Sequence, residues 1–229
     1  PSNLRTVQGE LLKALGLLVK DLKKFSYAGR TDAGVHASYQ VISFNSRDKL
    51  DIYRFSWKLN NLLPADITVK QVREVHKDFD ARRDALSRQY SYYVVNNNYQ
   101  SVFIKKYSIM ITRLLDIGLM RQACKKFLGC KDFSAFCNDN TGKGNHIRNV
   151  FDCRISRFAD GLIVFEISAN AFLYNMVRII VGTLLEIGTG LRDLESIDLA
   201  FNSGLRSNAG KIVPAKGLFL SKVIYKDFD

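Results

Sequence analysis

A short glycine-rich segment, Gly29–His36, contains the residue types in this chain best suited to chemistry. Two glycines, Gly29 and Gly34, enclose a cation and a carboxylate, Arg30 and Asp32. Glycine permits positive φ angles and close approach by a ligand, and an arginine beside a carboxylate favours its ionised form, as a nucleophile requires. The segment is a candidate catalytic loop, although Gly, Thr and Asp also make ordinary surface turns.

A lone charge in an apolar segment is the second candidate. Arg178 is the only charged residue from Ile167 to Leu185. A guanidinium in a protein core is costly unless a carboxylate pairs with it. The sequence leaves two alternatives, which are a paired Arg178 inside the protein and an Arg178 that reaches solvent from the edge of a helix.

Two aromatic residues in an expected strand form the third candidate. Alternation along a strand places Tyr90 and Tyr92 on the same face, close in sequence to Arg88. Aromatic faces near cations suit stacking on an unstacked base, whereas aromatic strand residues also commonly belong to the core.

The charge of the chain indicates the kind of partner. The 229 residues carry 34 Lys and Arg against 22 Asp and Glu, a net charge of +12. This excess favours a polyanion, such as nucleic acid, the ribosome or an anionic membrane surface. Hydrophobic residues make up 47% of the chain, which excludes intrinsic disorder and is ordinary for a globular protein.

Membrane, secretion and metal signals are weak. Charged and polar residues interrupt the most apolar region, Gly161–Leu185, and the first ten residues contain no apolar signal core. We therefore expect a soluble, cytoplasmic protein that is not secreted. The four cysteines lack Cys-x-x-Cys spacing, so buried free thiols are favoured over a metal site that would include His146.

Periodicity predicts an α+β fold. Helices are expected behind an N-cap at Thr6, before Pro64, and over the ranges Asp116–Leu128, Ala171–Ile187 and a short stretch near Ser196. Strands are expected at Gln40–Phe44, Ile67–Val75, Tyr90–Val95, Val150–Phe158, Leu162–Ser168 and Leu218–Tyr225. Strands joined by short turns and flanked by helices indicate largely antiparallel pairing.

The order of elements recurs after a polar stretch at Asn96–Ser101. We therefore expect two similar halves, 1–98 with the candidate catalytic loop and 99–229 with the Arg178 helix and the final strand. Each half would be a largely antiparallel sheet flanked by helices, with the active-site cleft between them.

Several motifs together resemble the TruA family of tRNA pseudouridine synthases. They include Gly29–Ala37, Arg88-x-Tyr-x-Tyr92, Phe172-Leu-x-x-Met-Val-Arg178 and Gly217-Leu-x-Leu220, with further agreement in Arg5–Leu11, Asn60–Pro64, Gly182–Gly188 and Pro214–Leu218. They follow the family's order and span residues 5 to 225. Two features depart from the family pattern, because the usual first strand precedes the start of this chain and Asp80 stands where the family usually has histidine.

The resemblance implies an isomerase without a cofactor. Such an enzyme converts uridine to pseudouridine in the anticodon stem-loop of tRNA, at about positions 38–40 in tRNA numbering. It breaks the N-glycosidic bond, rotates the uracil and rejoins it through carbon. The family also implies a homodimer in which one tRNA contacts both subunits.

The resemblance also assigns roles to residues. Asp32 would be the catalytic carboxylate, Arg178 its partner and Tyr90 the residue that stacks on the target base. Arg30 would hold the backbone of the flipped nucleotide, and Leu218 or Leu220 would form a wall of the pocket. The alternative is a non-catalytic basic RNA-binding or ribosome-associated protein, for which Asp32, Tyr90 and Arg178 need not meet.

Overall fold

The computed structural model describes residues 5–47, 49–99, 101–138 and 144–226. These residues form two compact units. Unit 1 comprises residues 1–28 and 41–84, and unit 2 comprises residues 29–40 and 85–229. The chain therefore leaves unit 1 and returns to it, and the segment between the two passages carries the candidate catalytic loop.

Unit 1 is built from two helices and a two-stranded antiparallel sheet. Its elements are α1 (Val7–Leu18), β1 (Lys23–Tyr27), β3 (Ile42–Asn45) and α2 (Ile52–Leu62). The helices begin where the sequence supplies caps, because the side chains of Thr6 and Asp51 accept hydrogen bonds from backbone N–H groups of the first turn. Apolar residues of both helices, among them Leu15 and Phe55, form the core of this unit.

The strand expected at Ile67–Val75 is wrong. This segment has no regular secondary structure. The side chain of Asn60 makes the hydrogen bonds to its backbone that a neighbouring strand would otherwise make. Its Oδ1 accepts from the backbone N–H of Val69 at 2.7 Å, and its Nδ2 donates to the carbonyl of the same residue at 2.9 Å.

Asp80, which departs from the family pattern, has a local structural role in unit 1. Its carboxylate accepts from the backbone N–H groups of Arg82 and Arg83 and from the hydroxyl of Ser26. These hydrogen bonds, led by that from Arg83, hold the pKa of the carboxyl below its usual value.

Unit 2 contains a mixed, mainly antiparallel sheet. Its strands are β2 (His36–Ala37), β4 (Ser87–Asn96), β5 (Ile109–Ile111), β6 (Gly129–Asp132), β7 (Ile147–Arg157), β8 (Leu162–Ala169) and β9 (Leu218–Ile224). Among the described residues the strand order is β2-β9-β4-β8-β7-β6. Strand β2 runs parallel to β9, and β5 runs parallel to the end of β4. The helices are α3 (Ile117–Lys125), α4 (Met176–Gly188) and α5 (Ser196–Ser203).

The α+β class and the mainly antiparallel pairing are confirmed. The compact units do not coincide with a division after residue 98, because β4 pairs with β8 and β9. None of the helices described is both long and apolar enough to cross a membrane. Cys124, Cys137 and Cys153 are buried free thiols, whereas Cys130 is exposed, which corrects the expectation that all four are buried.

Candidate active site

The loop that carries Asp32 is a tight turn. The backbone N–H of Val35 donates to the carbonyl of Asp32 at 3.1 Å. Gly34, the third residue of this turn, has a φ of 79°, which a side chain would oppose. The turn leads directly into β2, whose first residue is His36.

His36 fixes the loop to the sheet through its ring. The imidazole stacks on Phe219 of β9, with ring centres 4.7 Å apart, and meets the edge of Tyr107 at 5.0 Å. The Nε2 atom of His36 is buried and has no hydrogen-bond partner among the described residues. Ring packing and the β2–β9 pairing therefore hold the end of the loop.

Arg178 is oriented from two sides at the start of α4. Its Nε donates to the backbone carbonyl of Val213 at 2.8 Å, and its Nη1 donates to Oδ1 of Asn175 at 2.8 Å. Asn175 directly precedes the helix in a left-handed conformation with a φ of 61°, which Asn tolerates better than most residues. The helix was expected from Ala171 onward, and this conformation places its start at Met176.

The guanidinium held in this way meets the carboxylate of the candidate catalytic loop. Nη1 of Arg178 lies 3.4 Å from Oδ2 of Asp32, and the two side chains are 18% and 29% exposed. Arg178, the only charged residue from Ile167 to Leu185, is therefore paired with a carboxylate. This is the first of the two alternatives that the sequence left open.

Tyr90 lies beside this pair in β4. Its side chain is buried, and its ring meets that of Phe172 edge to face with centres 5.1 Å apart. Burial raises the pKa of Tyr90 to about 12; the charge of Arg88 opposes the rise and that of Asp32 adds to it. The phenol is therefore neutral at physiological pH.

Tyr92 supports the site from within the core. It is completely buried, and its hydroxyl donates to the carbonyl of Pro214 at 2.7 Å. A Cβ on Gly217 would lie 2.7 Å from the ring carbon Cζ of Tyr92. Only glycine lets the chain pass this ring, so Tyr92 and Gly217 together fix the path of the segment that includes Val213 and Pro214.

Leu218, Leu220 and Arg30, the other residues expected at the site, do not take part in the ion pair of Asp32 and Arg178. Leu218 and Leu220 are buried in β9, opposite Tyr92 and Tyr90 of β4. Arg30 is exposed and contacts neither Asp32 nor Arg178 in the part of the chain that the structure describes. The structure thus pairs Asp32 with Arg178, places Tyr90 near Asp32, leaves Arg30 apart, and places the two leucines beside the tyrosines on the neighbouring strand.

Four partners of these residues were missed from the sequence. Asn175 is adjacent to a recognised motif and could have been found as a polar residue preceding an apolar helix. Phe172 was named only as part of that motif. The acceptors at Val213 and Pro214 are backbone carbonyls, which every residue has, so no sequence signal marks them.

The arrangement suits acid–base or nucleophilic chemistry by one carboxylate. The carboxylate of Asp32 is paired with the guanidinium of Arg178, and the neutral phenol of Tyr90 is close by. Among the described residues no group of three His, Cys, Asp or Glu side chains is placed to bind a metal ion. A single carboxylate beside an aromatic ring can act on a base that has left its stack.

Comparison with known proteins defines the class. A family model described as tRNA pseudouridine synthase matches residues 123–226. Proteins named tRNA pseudouridine synthase A match nearly the whole chain. That of Caldicellulosiruptor saccharolyticus is 37% identical, over 97% of this chain and 91% of its own length. That of Acetivibrio thermocellus is 38% identical over the same shares, and that of Shouchella clausii is 41% identical over 96% of this chain and 85% of its own length.

The class that these matches share is the pseudouridine synthases, which are isomerases. Within it, the chain belongs to the tRNA pseudouridine synthase A family. The resemblance inferred from the sequence motifs is confirmed.

Proposed function

We propose that this protein converts uridines to pseudouridine in the anticodon stem-loop of tRNA, at about positions 38–40 in tRNA numbering, with Asp32 as its catalytic carboxylate. The relatives are named for tRNA, and the charge of +12 suits a polyanionic substrate. The observation that carries the proposal is the partly buried ion pair of Asp32 and Arg178 beside Tyr90.

The reaction needs no external reactant. The bond from C1′ of the ribose to N1 of uracil breaks, a bond from C1′ to C5 forms, and the proton on C5 is replaced by one on N1. Asp32 acts in one of three ways, by attack on C1′, by attack on C6 of uracil, or by removal of a proton from the ribose. Arg178 serves each of them because it pairs with the carboxylate and orients it.

Tyr90 provides a surface for the base. A phenol with a pKa of about 12 does not ionise in neutral solution, so Tyr90 acts by stacking and as a hydrogen-bond donor. The target uracil leaves its stack to reach this ring. We propose that Arg30, which is exposed two residues before Asp32, contacts a phosphate of the flipped nucleotide, and that Leu218 or Leu220 forms a wall of the pocket.

A binding protein without activity is not favoured. A carboxylate would repel phosphates, and such a protein would have no use for a guanidinium that two partners, Val213 and Asn175, hold against it. We further propose that the enzyme works as a cytoplasmic homodimer, which sedimentation of the purified protein will test.

The test of the function is the substitution Asp32→Asn. It keeps the size of the side chain and removes its charge. We expect pseudouridine formation in an unmodified tRNA transcript to fall more than about 1,000-fold while tRNA binding is retained. Base-resolved mapping identifies the modified positions. Turnover of the variant within tenfold of the unsubstituted enzyme contradicts the role of Asp32, and product only outside the anticodon stem-loop contradicts the proposed target.

A further inference from the structure

The turn Val102–Tyr107, between β4 and β5, has an apolar tip in contact with water. Phe103 is 86% exposed and Val102 is 69% exposed. Lys105 and Lys106 follow them and are also exposed. A phenylalanine this exposed near two cations contributes little to the core of unit 2.

The turn is preformed rather than loosely extended. The backbone N–H of Lys105 donates to the carbonyl of Ser101 at 3.1 Å, and that of Tyr107 donates to the carbonyl of Ile104 at 2.8 Å. The hydroxyl of Ser108 donates to the same carbonyl of Ile104 at 2.8 Å. A turn that is already ordered loses little further entropy when it binds a partner.

Two contacts fasten the turn to the candidate active site. Nζ of Lys216 donates to the carbonyl of Lys105 at 3.0 Å, and Lys216 directly precedes Gly217, which packs on Tyr92. The ring of Tyr107 meets His36, at the end of the catalytic loop. The turn is therefore fixed to the residue that begins β2 after the Asp32 loop and to the segment that passes Tyr92.

The charge of these segments indicates the chemistry of the partner. No Asp or Glu occurs between Ala85 and Leu115 or between Leu199 and Lys226, although these stretches contain nine basic residues: Arg88, Lys105, Lys106, Arg113, Arg206, Lys211, Lys216, Lys222 and Lys226. The two stretches include β4 and β9, which pair in the sheet. Lys105 and Lys106 lie in the turn itself and Lys216 bonds to it, so positive charge at the turn attracts a polyanion.

We propose that the turn Val102–Tyr107 is a contact site for the RNA substrate, in which Phe103 stacks on an unpaired base and Lys105 and Lys106 pair with neighbouring phosphates. Aromatic rings stack on any base, so this contact serves targets of different sequence. Removal of a nucleotide from its stack leaves neighbouring bases available. The proposal rests on the function proposed above, since it takes a structured RNA as the substrate.

The first test is the substitution Phe103→Ala, with binding of an unmodified tRNA transcript measured by fluorescence anisotropy. We expect the Kd to rise on the order of 10-fold, and Phe103→Trp to bind like the unsubstituted enzyme. Phe151→Ala is the control, because Phe151 is likewise an exposed phenylalanine, 51% against 86% for Phe103, but lies on β7, two strands away from β4. An unchanged Kd for Phe103→Ala overturns the proposal.

The second test separates the charges from the ring. In the double variant Lys105→Gln/Lys106→Gln, the slope of log Kd against log salt should become shallower by about 0.7–0.9 for each phosphate that the variant no longer neutralises. Phe103→Ala should leave this slope unchanged, because its side chain carries no charge. A slope that does not change in the double variant overturns the assignment of the lysines.

Sedimentation of the same variants distinguishes RNA from protein as the occupant. If Phe103→Ala lowers the mass of the assembly, the turn is a contact with a second copy and the proposal is wrong. The two failures are distinguishable. The proposed function is wrong if the unsubstituted enzyme forms no pseudouridine in tRNA, whereas the turn proposal is wrong if Phe103→Ala leaves the Kd unchanged while that product still forms.

Discussion

Asn175 accepts a hydrogen bond from the guanidinium of Arg178, at 2.8 Å between Oδ1 and Nη1, and does not cap the helix that begins directly after it. An Asn at this position ordinarily bonds the free N–H groups of the first turn. Helix α4 lacks this capping hydrogen bond. The side chain of Asn175 instead orients Arg178, the cation that faces Asp32. We regard Asn175 as a positioning residue for Arg178.

Substitution of Asn175 should therefore reduce the rate of the chemical step. Asn175→Gly keeps the left-handed conformation accessible and removes only the acceptor. Because hydrogen bonds to charged groups contribute about 1.5–3 kcal/mol, we expect single-turnover pseudouridine formation at saturating enzyme to fall about 10- to 100-fold. Binding of tRNA should change little.

A second variant at this position separates strain from function. Asn175→Ala keeps a Cβ in the left-handed region but lacks the polar side chain that makes Asn tolerant of it, so this variant should unfold more easily than Asn175→Gly, by about 1–2 kcal/mol. Asp160→Gly is the matched control, because Asp160 has a φ of 55° in the turn between β7 and β8. If Asn175→Gly reacts as fast as the unsubstituted enzyme, the carbonyl of Val213 suffices to hold Arg178.

Arg178→Met should slow the chemical step by at least about 100-fold, because the carboxylate of Asp32 loses its cation in a partly buried place. Arg178→Lys should recover only part of the loss, since an ammonium does not reproduce the planar guanidinium held by Val213 and Asn175. Single-turnover kinetics removes the contribution of tRNA binding.

The control for Arg178 is Arg121→Met, which removes the same charge and a bond to a backbone carbonyl, that of Ile155. It should leave the single-turnover rate unchanged. Equal rates for Arg178→Met and Arg121→Met would show that Arg178 has no special relation to the reaction.

Tyr90→Phe should keep most of the activity. The phenol is neutral at working pH, and phenylalanine retains the ring that packs on Phe172. We expect a loss of less than about 10-fold for Tyr90→Phe and a much greater loss for Tyr90→Ala, whose side chain offers no stacking surface. A rate that rises near pH 10 in the unsubstituted enzyme but not in Tyr90→Phe would indicate that the phenolate takes part.

The same residue predicts how stability depends on pH. The pKa of Tyr90 is about 12 in the folded protein and 10.0 for the ordinary side chain. Between these values the unfolded chain releases its proton first, so the free energy of unfolding should fall as pH rises from about 10 to 12, by up to about 3 kcal/mol. Tyr90→Phe should lose less stability over this range in urea titrations, and Tyr99→Phe, at an exposed position, should behave like the unsubstituted protein.

Gly217→Ala should destabilise the protein by about 1–3 kcal/mol, because its Cβ would overlap the ring of Tyr92. Thermal melting measures the effect. Gly16→Ala in α1 is the matched control, since a Cβ there meets nothing within 4 Å and alanine favours a helix. An unchanged melting temperature for Gly217→Ala would mean that this segment moves away from Tyr92 without cost.

Local sequence signals predicted the elements that depend on local physics. The helix behind Thr6 and the aromatic strand around Tyr90 lie where capping and alternation place them. Local signals gave a wrong prediction where contacts with distant parts of the chain determine the secondary structure. Apolar residues after Ile67 resemble a strand, but a strand needs a partner, and here Asn60 occupies the backbone groups of Val69.

The residues of the candidate active site likewise fall into those that the sequence predicted and those that it could not predict. The types and spacing of Asp32, Tyr90 and Arg178 marked them as candidates before any geometry was known. The acceptors that aim Arg178 and Tyr92 are the carbonyls of Val213 and Pro214. Because those groups are common to all residues, only the path of the folded chain reveals them.

The pairing of β2 with β9 also has a consequence for the time course of folding. Ser38 and Leu220, whose backbones bond at the end of this pairing, are 182 residues apart in the chain. Contacts between such distant residues form slowly, since a large loop must close first. During refolding, helices and hairpins should therefore be complete before β9 secures the loop of Asp32. Catalytic activity should return after the circular dichroism signal of the helices, which makes this protein an enzyme whose active centre is among the last parts of the molecule to form.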